Sequence, residues 1–410
     1  MWRPRGPFRR LRRLVRDERR TLVEGVGALL ISSGGDLLAG LTLGSVTHTL
    51  DRLPGLLVLV PAAIGMRGNI FGALGSRLGT LAHTGQYRLS RRLDSPVGQN
   101  MAASVLLSMV LSVALAVIAK AVMEVMGLRH TISVADLLVV SVLGGVLSSL
   151  VVLSLTVGVA SASVRRGWDL DNVASPIVTA AGDIVTLPAL FISTVLVRVD
   201  LVTPVVAALC AAVGIAALVS LLRSHLELLH RIAIESLPVL LIAGTVDIVA
   251  GVTIENRLNT FAAFPALLVM VPPFLEDSGA LGGILSARLG SKLNLGTLDA
   301  RNFRWADIAD DVYLTYLFAI VVFVMVGVSS NVVSTIVDLA SPGVLRMIEI
   351  AVIAGFGATT AAVAVAVATS LVTYRIGLDP DNHGIPMVTS SLDLFGAGAL
   401  IGALVLLHVH

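Results

Sequence analysis

The sequence predicts an all-α polytopic membrane protein of about eleven transmembrane helices, built as two parallel five-helix repeats joined by a linker transmembrane helix. Three observations carry that expectation. Of 410 residues, 56% are hydrophobic and only 14% charged, which leaves too little polar side chain to cover a water-facing surface. The apolar residues form continuous runs long enough to cross the hydrocarbon core, which takes roughly 20 residues of helix, and they lack the strict alternation of a membrane β-barrel. The chain also repeats itself: "SSGGDLLAG" around Asp36 returns 211 residues later as "AGTVDIVAG" around Asp247, and the stretch from Pro54 to Gly79 matches that from Pro265 to Gly290 without a gap.

The elements follow in order. A basic arm over 1–21, with nine arginines, precedes the first apolar run. Beside a span such an arm marks the cytoplasmic face and lipid head groups, with no nucleic-acid partner implied. The run that follows holds Asp36 and lacks a small-residue cleavage site, so it reads as a span and not a signal peptide. Spans are expected near 22–46, 54–81, 99–126, 134–163 and 172–198 in the first repeat (22–199), and near 202–222 in the linker (200–230). The second repeat (231–410) has them near 232–254, 264–287, 311–337, 344–373 and 384–408.

With the N-terminus inside, the loops carrying Arg88, Arg91, Arg92, Arg165, Arg166, Arg223, Arg231, Lys292, Arg301, Arg304 and Arg375 are cytoplasmic, and the opposite loops keep only Arg52, Arg129, Arg198 and Arg257. That bias fits a multi-pass plasma-membrane protein with its C-terminus outside. Five spans is an odd number, so two directly joined repeats would be inverted. The linker span reverses the chain once more and makes them parallel, about a pseudo-two-fold axis along the membrane normal. Such a chain is a fused pseudo-dimer, self-sufficient as a monomer, with higher oligomers left open.

The chemistry-bearing residues lie inside the spans. Asp171 and Asp381 sit where a loop enters the last helix of each repeat, a capping position. Asp183 and Asp393 lie twelve residues further on, about 18 Å deeper at ~1.5 Å per residue, where no cap explains them. Thr179 and Thr389 share their helix face, and Pro176 and Pro386 each free a carbonyl nearby. Carboxylate, hydroxyl and carbonyl oxygen form a hard ligand set suited to Mg²⁺ or Ca²⁺. A buried charge in lipid is costly, so a duplicated one is a functional candidate by default; a protonated or hydrogen-bonded carboxyl is the plain alternative.

Asp36 and Asp247, preceded by the small residues Ser33, Gly34, Gly35 and Gly244, Thr245, are expected to form a second acidic tier toward the outside. Glu24 and Glu235 read as solvated helix-end charges. In the second helix of each repeat, the prolines (Pro54, Pro61; Pro265, Pro272) and the GxxxG glycines (Gly68, Gly72; Gly279, Gly283) predict a kinked, closely packed helix at the central contact. Its middle reads "GMRGN" with Arg67 and Asn69 in one copy and "EDSGA" with Glu276 and Asp277 in the other, so cation and acids are expected to pair between halves. Arg77 and Arg288, at the end of this helix, are expected to face lipid phosphates. Cys210 reads as a small core residue, and the scattered histidines form no zinc cluster.

At "PAAIGMRGNIFGALGSRLG", "PPFLEDSGALGGILSARLG", "DLDNVASPIVTAAGD" and "DPDNHGIPMVTSSLD" the chain resembles the MgtE-type magnesium channels and solute carrier family 41, over nearly its whole length. The resemblance implies transport of Mg²⁺, with other divalent cations open, and a hydrated ion held by Asp183 and Asp393. Asp36, Asp247, Glu276 and Asp277 are then supporting acids, and Asn69, Thr179 and Thr389 further oxygen ligands. The family asparagine is kept at Asn69 but replaced by Ala280 in the second copy. With only about 20 residues before the first span, the cytoplasmic sensor domains of bacterial MgtE proteins are expected to be absent. Arg67, a fixed cation near the pathway, stands against simple passive conduction. A Na⁺- or H⁺-coupled divalent-cation exporter is the alternative. An intramembrane aspartyl protease using Asp183 and Asp393 is a distant one, since "AAGD" and "SSLD" lack the Gly-x-Gly-Asp pattern of such enzymes. No enzymatic role is expected.

Overall fold

The computed structural model describes residues 19–166, 170–376 and 385–409, with side chains outside 19–26, 28, 30–31, 170–176 and 385–386. The basic arm up to residue 18, Glu24, and the last-helix entries with Asp171, Asp381, Pro176 and Pro386 therefore lie outside what is described of side chains. Among the described residues there are eleven long helices and no strand: α1 (Arg19–Ser45), α2 (Leu59–His83), α3 (Pro96–Val125), α4 (Val134–Arg166), α5 (Leu170–Ser193), α6 (Val202–Leu222), α7 (Glu227–Glu255), α8 (Pro265–Asn294), α9 (Trp305–Ile336), α10 (Val344–Arg375) and α11 (Ile385–Leu406). Nine of the described helices are long and apolar enough to cross a membrane; α1 and α2, at 27 and 25 residues, are long enough but fall outside that set.

Local chemistry sets several boundaries. The Ser95 hydroxyl accepts from Gly98 N (3.0 Å) and Pro96 occupies the first helical position, which fixes the start of α3. Ser133 and Asp136 bond each other's backbone N–H groups, both at 3.1 Å, a reciprocal cap for α4. The second helix of the first repeat begins at Leu59 and not at Pro54 as expected, because Gly55 turns the chain with φ +91°. Its amide donates to Glu255 Oε1 (2.7 Å) at the far end of α7, a bond between the two halves. Pro61 consequently falls in the first turn of α2, where the ladder has no bond to lose, while Pro272 and Pro273 lie inside α8.

Helix α8 is the most enclosed of these elements, with 78% of its most apolar stretch buried against 28% for α6. The linker helix α6 packs outside, on α3 and α4. Each repeat's first helix packs on the last helix of its own repeat (α1 on α5, α7 on α11) and on the second helix of the other (α1 on α8, α7 on α2). These crossings are matched closely. A Cβ on Gly40 would stand 2.1 Å from Val269 O, and one on Gly251, its counterpart, 2.4 Å from Val58 O. Gly44, further along α1, meets Pro265 O at the start of α8, so α1 and α8 run antiparallel. Gly65 of α2 meets Asp247 and Val58 meets Gly251, so α2 and α7 do the same. Since the α1–α2 and α7–α8 hairpins each reverse the chain, this pattern places the two repeats in the same orientation, as the span count predicts.

Candidate functional site

Two carboxylate pairs occupy the middle of the bundle. Asp36 of α1 faces Asp183 of α5, and Asp247 of α7 faces Asp393 of α11. The packing of first helix on last helix brings them together. Close approach makes it possible: an added Cβ at Gly35 would lie 3.0 Å from Ala180 Cβ. Asp36 and Asp247 are thus partners of the deep last-helix acids at one level, not a second tier toward the outside. The crossing of first helix on last helix sets this level, although Asp36 and Asp247 lie further from their helix starts than Asp183 and Asp393 do.

Glu276 stands where the first repeat has Gly65, 211 positions earlier. Its charge reaches all four aspartates. At the matching place on α2, a Cβ on Gly65 would sit 3.0 Å from Asp247 Oδ2 and 3.9 Å from Asp393 Oδ2. Each half of the centre is therefore an aspartate pair against the second helix of the other repeat, with a carboxylate added on one side only. A small cavity of about 20 Å³ lies between α2 and α8, lined by Val60, Pro61, Ile64 and Gly65, by their counterparts Val271, Pro272, Leu275 and Glu276, and by Asp393. Matched residues on both walls put this cavity on the pseudo-two-fold axis.

Asp36, Asp183, Asp247 and Asp277 are at most 1% exposed, while Glu276 and Asp393 are half-buried and border the open space. Neither oxygen of Asp36 or Asp183 meets a hydrogen-bond donor among the described residues. Asp247 has the Ser390 hydroxyl beside it, outside ordinary hydrogen-bond geometry. Asp277 is the satisfied member, accepting from Ser33 Oγ at 2.6 Å across the α1–α8 contact. Among the described residues no three His, Cys, Asp or Glu side chains converge as a metal cage.

The remaining expected ligands divide. Asn69 is half-buried one turn from Gly65 on the same face of α2. Thr179 and Thr389 turn their methyl groups to α2 and α8, 3.7 Å and 3.6 Å from the places a Cβ would take on Gly68 and Gly279. The other GxxxG glycines, Gly72 and Gly283, have nothing within 4 Å of such an atom.

Two expectations from charge are corrected. Arg67 does not pair with Glu276 or Asp277. It points away into the first repeat, where Nε donates to Ser148 Oγ (3.2 Å) and Nη2 to Ser112 Oγ (3.3 Å), with Nη1 unpartnered. Gly145 admits it, since a Cβ there would lie 2.3 Å from Nη2. In the second repeat Ser278, Phe323 and Ala358 take the places of Arg67, Ser112 and Ser148, so a polar socket is exchanged for an aromatic one. Arg77 and Arg288 are likewise turned inward. Arg77 Nε donates to Asn100 Oδ1 (2.7 Å), while Arg288 Nε donates to Asp311 Oδ1 (3.0 Å) beside Lys292, tying second helix to third in each repeat.

Sequence reasoning missed Glu255 and Gly65. Glu255 has no acidic counterpart, since Gly44 stands there, so the duplication that singled out the other acids gave no signal. Gly65 is informative only as the position opposite Glu276.

Comparisons with known proteins show a family. A family model described as MgtE, a divalent cation transporter, matches residues 60–193 and 271–403, one stretch in each repeat. Solute carrier family 41 member 3 of Rattus norvegicus is 24% identical over 396 residues, 91% of this chain and 84% of its own. Member 2 of Xenopus laevis is 30% identical over 178 residues, 39% of this chain and 29% of its own length. Among solved structures a eukaryotic MATE transporter aligns over 95% of this chain at 13% identity, but with a TM-score of 0.29 the likeness is too slight to inform the fold. Given a family match across both repeats, the chain belongs to the MgtE family of divalent cation transporters.

Proposed function

We propose that the chain carries Mg²⁺ across the plasma membrane, through a site on the axis between repeats 22–199 and 231–410, with the linker 200–230 outside the pathway. One observation carries this reading: two facing carboxylate pairs, joined by Glu276, lie deep in the bundle with no cation among the described residues against them. Like charges about 4 Å apart repel by about 4 kcal/mol at an effective dielectric of ~20. A divalent cation replaces that repulsion with attraction, and protons or Na⁺ offset it more weakly. Mg²⁺ gives up water reluctantly, and the lack of a converging carboxylate cage favours grip through its water shell by Asp183, Asp393, Asp36, Asp247 and Glu276, with Asn69 on the same face. Asp277, already bonded to Ser33, and Thr179 and Thr389, packed through their methyls, are secondary.

The axial cavity, at about 20 Å³, has room for roughly one water and none for a hydrated ion. That constriction, with Val60, Pro61, Ile64 and their counterparts above the acids, supports an alternating carrier over an open channel. A carrier whose empty acids need compensation fits coupling to protons or Na⁺. The proposed topology has the N-terminus cytoplasmic and the C-terminus outside.

The test is dye-reported Mg²⁺ flux in proteoliposomes, with and without Na⁺ and pH gradients. The reading predicts flux that is lost in Asp183→Asn/Asp393→Asn and altered by at least one gradient. Undiminished flux in that double variant rejects the site, and gradient-independent flux rejects the coupling.

A further inference from the structure

We propose that a groove between α3, α4 and the 84–95 loop binds one phospholipid with an anionic head group. The groove is about 1000 Å³, at the upper end of ligand pockets. Its walls are apolar, among them Met101, Val105, Leu106, Leu153 and Val157, and its rim carries Arg91, Arg165 and Arg166. An aliphatic cleft that ends in the guanidinium groups of Arg91 and Arg165 matches an acyl chain attached to an anionic phosphodiester, which arginine binds through paired N–H donors. The basic end is the one that sequence charge assigns to the cytoplasm, where anionic lipid attracts basic residues.

The second repeat supplies a contrast, because the described residues at the matched positions pack against one another there. Its loop is drawn in by Arg375, which donates to Ala300 O (2.6 and 3.2 Å), and Leu298, Ala300 and Phe303 join a cluster with Leu289, Val363 and Val367. Tyr316 fills the corresponding cleft, bonding Thr360 Oγ1 (2.8 Å) and stacking on Phe356. At the matched positions the first repeat has Val105 for Tyr316, Arg92 for Phe303 and Ser161 for Leu371. At these three positions a large apolar group of the second repeat is a smaller or basic one in the first. Tyr87 Oη, bonded to Ser161 Oγ at 2.7 Å, holds the loop against α4 without filling the cleft.

Gly158 provides a clean test, since a Cβ there meets nothing within 4 Å although the residue lines the groove. The purified full chain is incubated with equimolar phosphatidylglycerol and phosphatidylcholine in detergent micelles, washed, and its bound lipid counted by native mass spectrometry. The wild type should retain about one phosphatidylglycerol per chain in preference to phosphatidylcholine. Gly158→Phe should lose it with its unfolding midpoint unchanged, and Arg91→Gln/Arg165→Gln should lose the head-group preference. Equal retention of the two lipids by the wild type, or equal retention of phosphatidylglycerol by Gly158→Phe, overturns the proposal. A groove filled by another part of this chain or by a second copy leaves the wild type lipid-free, which overturns it as well.

Discussion

Replacing Gly40 or Gly251 by alanine tests the crossed packing on which the central site depends. At Gly40 the new methyl would stand 2.1 Å from Val269 O, and at Gly251 2.4 Å from Val58 O. Ordinary contact begins near 3.4 Å, so α1 and α8 must part by about 1.3 Å and α7 and α2 by about 1 Å. Overpacking of a tight core costs about 1 to 3 kcal/mol, and the obstacle here is a backbone carbonyl that cannot swing aside, so the upper end applies. Alanine gains about 1 kcal/mol over glycine in a helix. The net expectation is a loss of about 1 to 2 kcal/mol for each variant, adding in the double variant because the crossings share no contact. Reversible unfolding in mixed micelles reads the loss, with Gly72→Ala and Gly283→Ala as controls, since an added Cβ there meets nothing and the change should be neutral or stabilising. If Gly40→Ala and Gly251→Ala were as stable as those controls, the crossed packing would be wrong.

Three further outcomes follow from the same contacts. Gly145→Ala should destabilise by driving a methyl into Arg67 and the Ser112 hydroxyl, and Arg67→Ser, which copies Ser278, should relieve the first of these clashes; the two should couple by about 0.5 to 3 kcal/mol in a double-mutant cycle, and additive effects would contradict the socket. Asp311→Asn should cost about 1 to 3 kcal/mol in unfolding measurements, below the figure for a fully buried pair because Arg288 and Lys292 are 29% and 35% exposed. Glu276→Gly, which makes the second repeat copy Gly65, should retain folding but change the concentration dependence of Mg²⁺ flux; an unaltered dependence would remove Glu276 from the site.

Much of the fold was legible because lipid imposes simple rules. The helices lie within about seven residues of the expected spans, and the span count foretold like-oriented repeats. The aspartates at 36, 183, 247 and 393 were legible through duplication, but their pairing was not, since sequence depth alone does not say which helices touch. Charge patterns misled at Arg67, Arg77 and Arg288. Opposite charges at matched positions suggested pairing for Arg67 and a helix-end place suggested lipid phosphates for Arg77 and Arg288, whereas serines at 112 and 148 and partners at Asn100 and Asp311 were close enough to take these cations. The shift of the α2 start hinged on one glycine, Gly55, whose left-handed conformation a hydrophobic run does not reveal. The groove beside α3 and α4 was invisible in sequence, because a sequence does not say how a loop packs on the helices it joins.

The central claim, that the paired acids hold a divalent cation, is tested most directly by ligand-linked stability. A cation that binds only the folded state raises its stability by about 2.7 kcal/mol at a hundredfold excess over its dissociation constant. Unfolding of the wild type in micelles should therefore rise progressively with Mg²⁺, and that rise should vanish in the folded Asp36→Asn/Asp183→Asn/Asp247→Asn/Asp393→Asn variant. A rise of equal size in that variant would mean that Mg²⁺ binds elsewhere and would contradict the account.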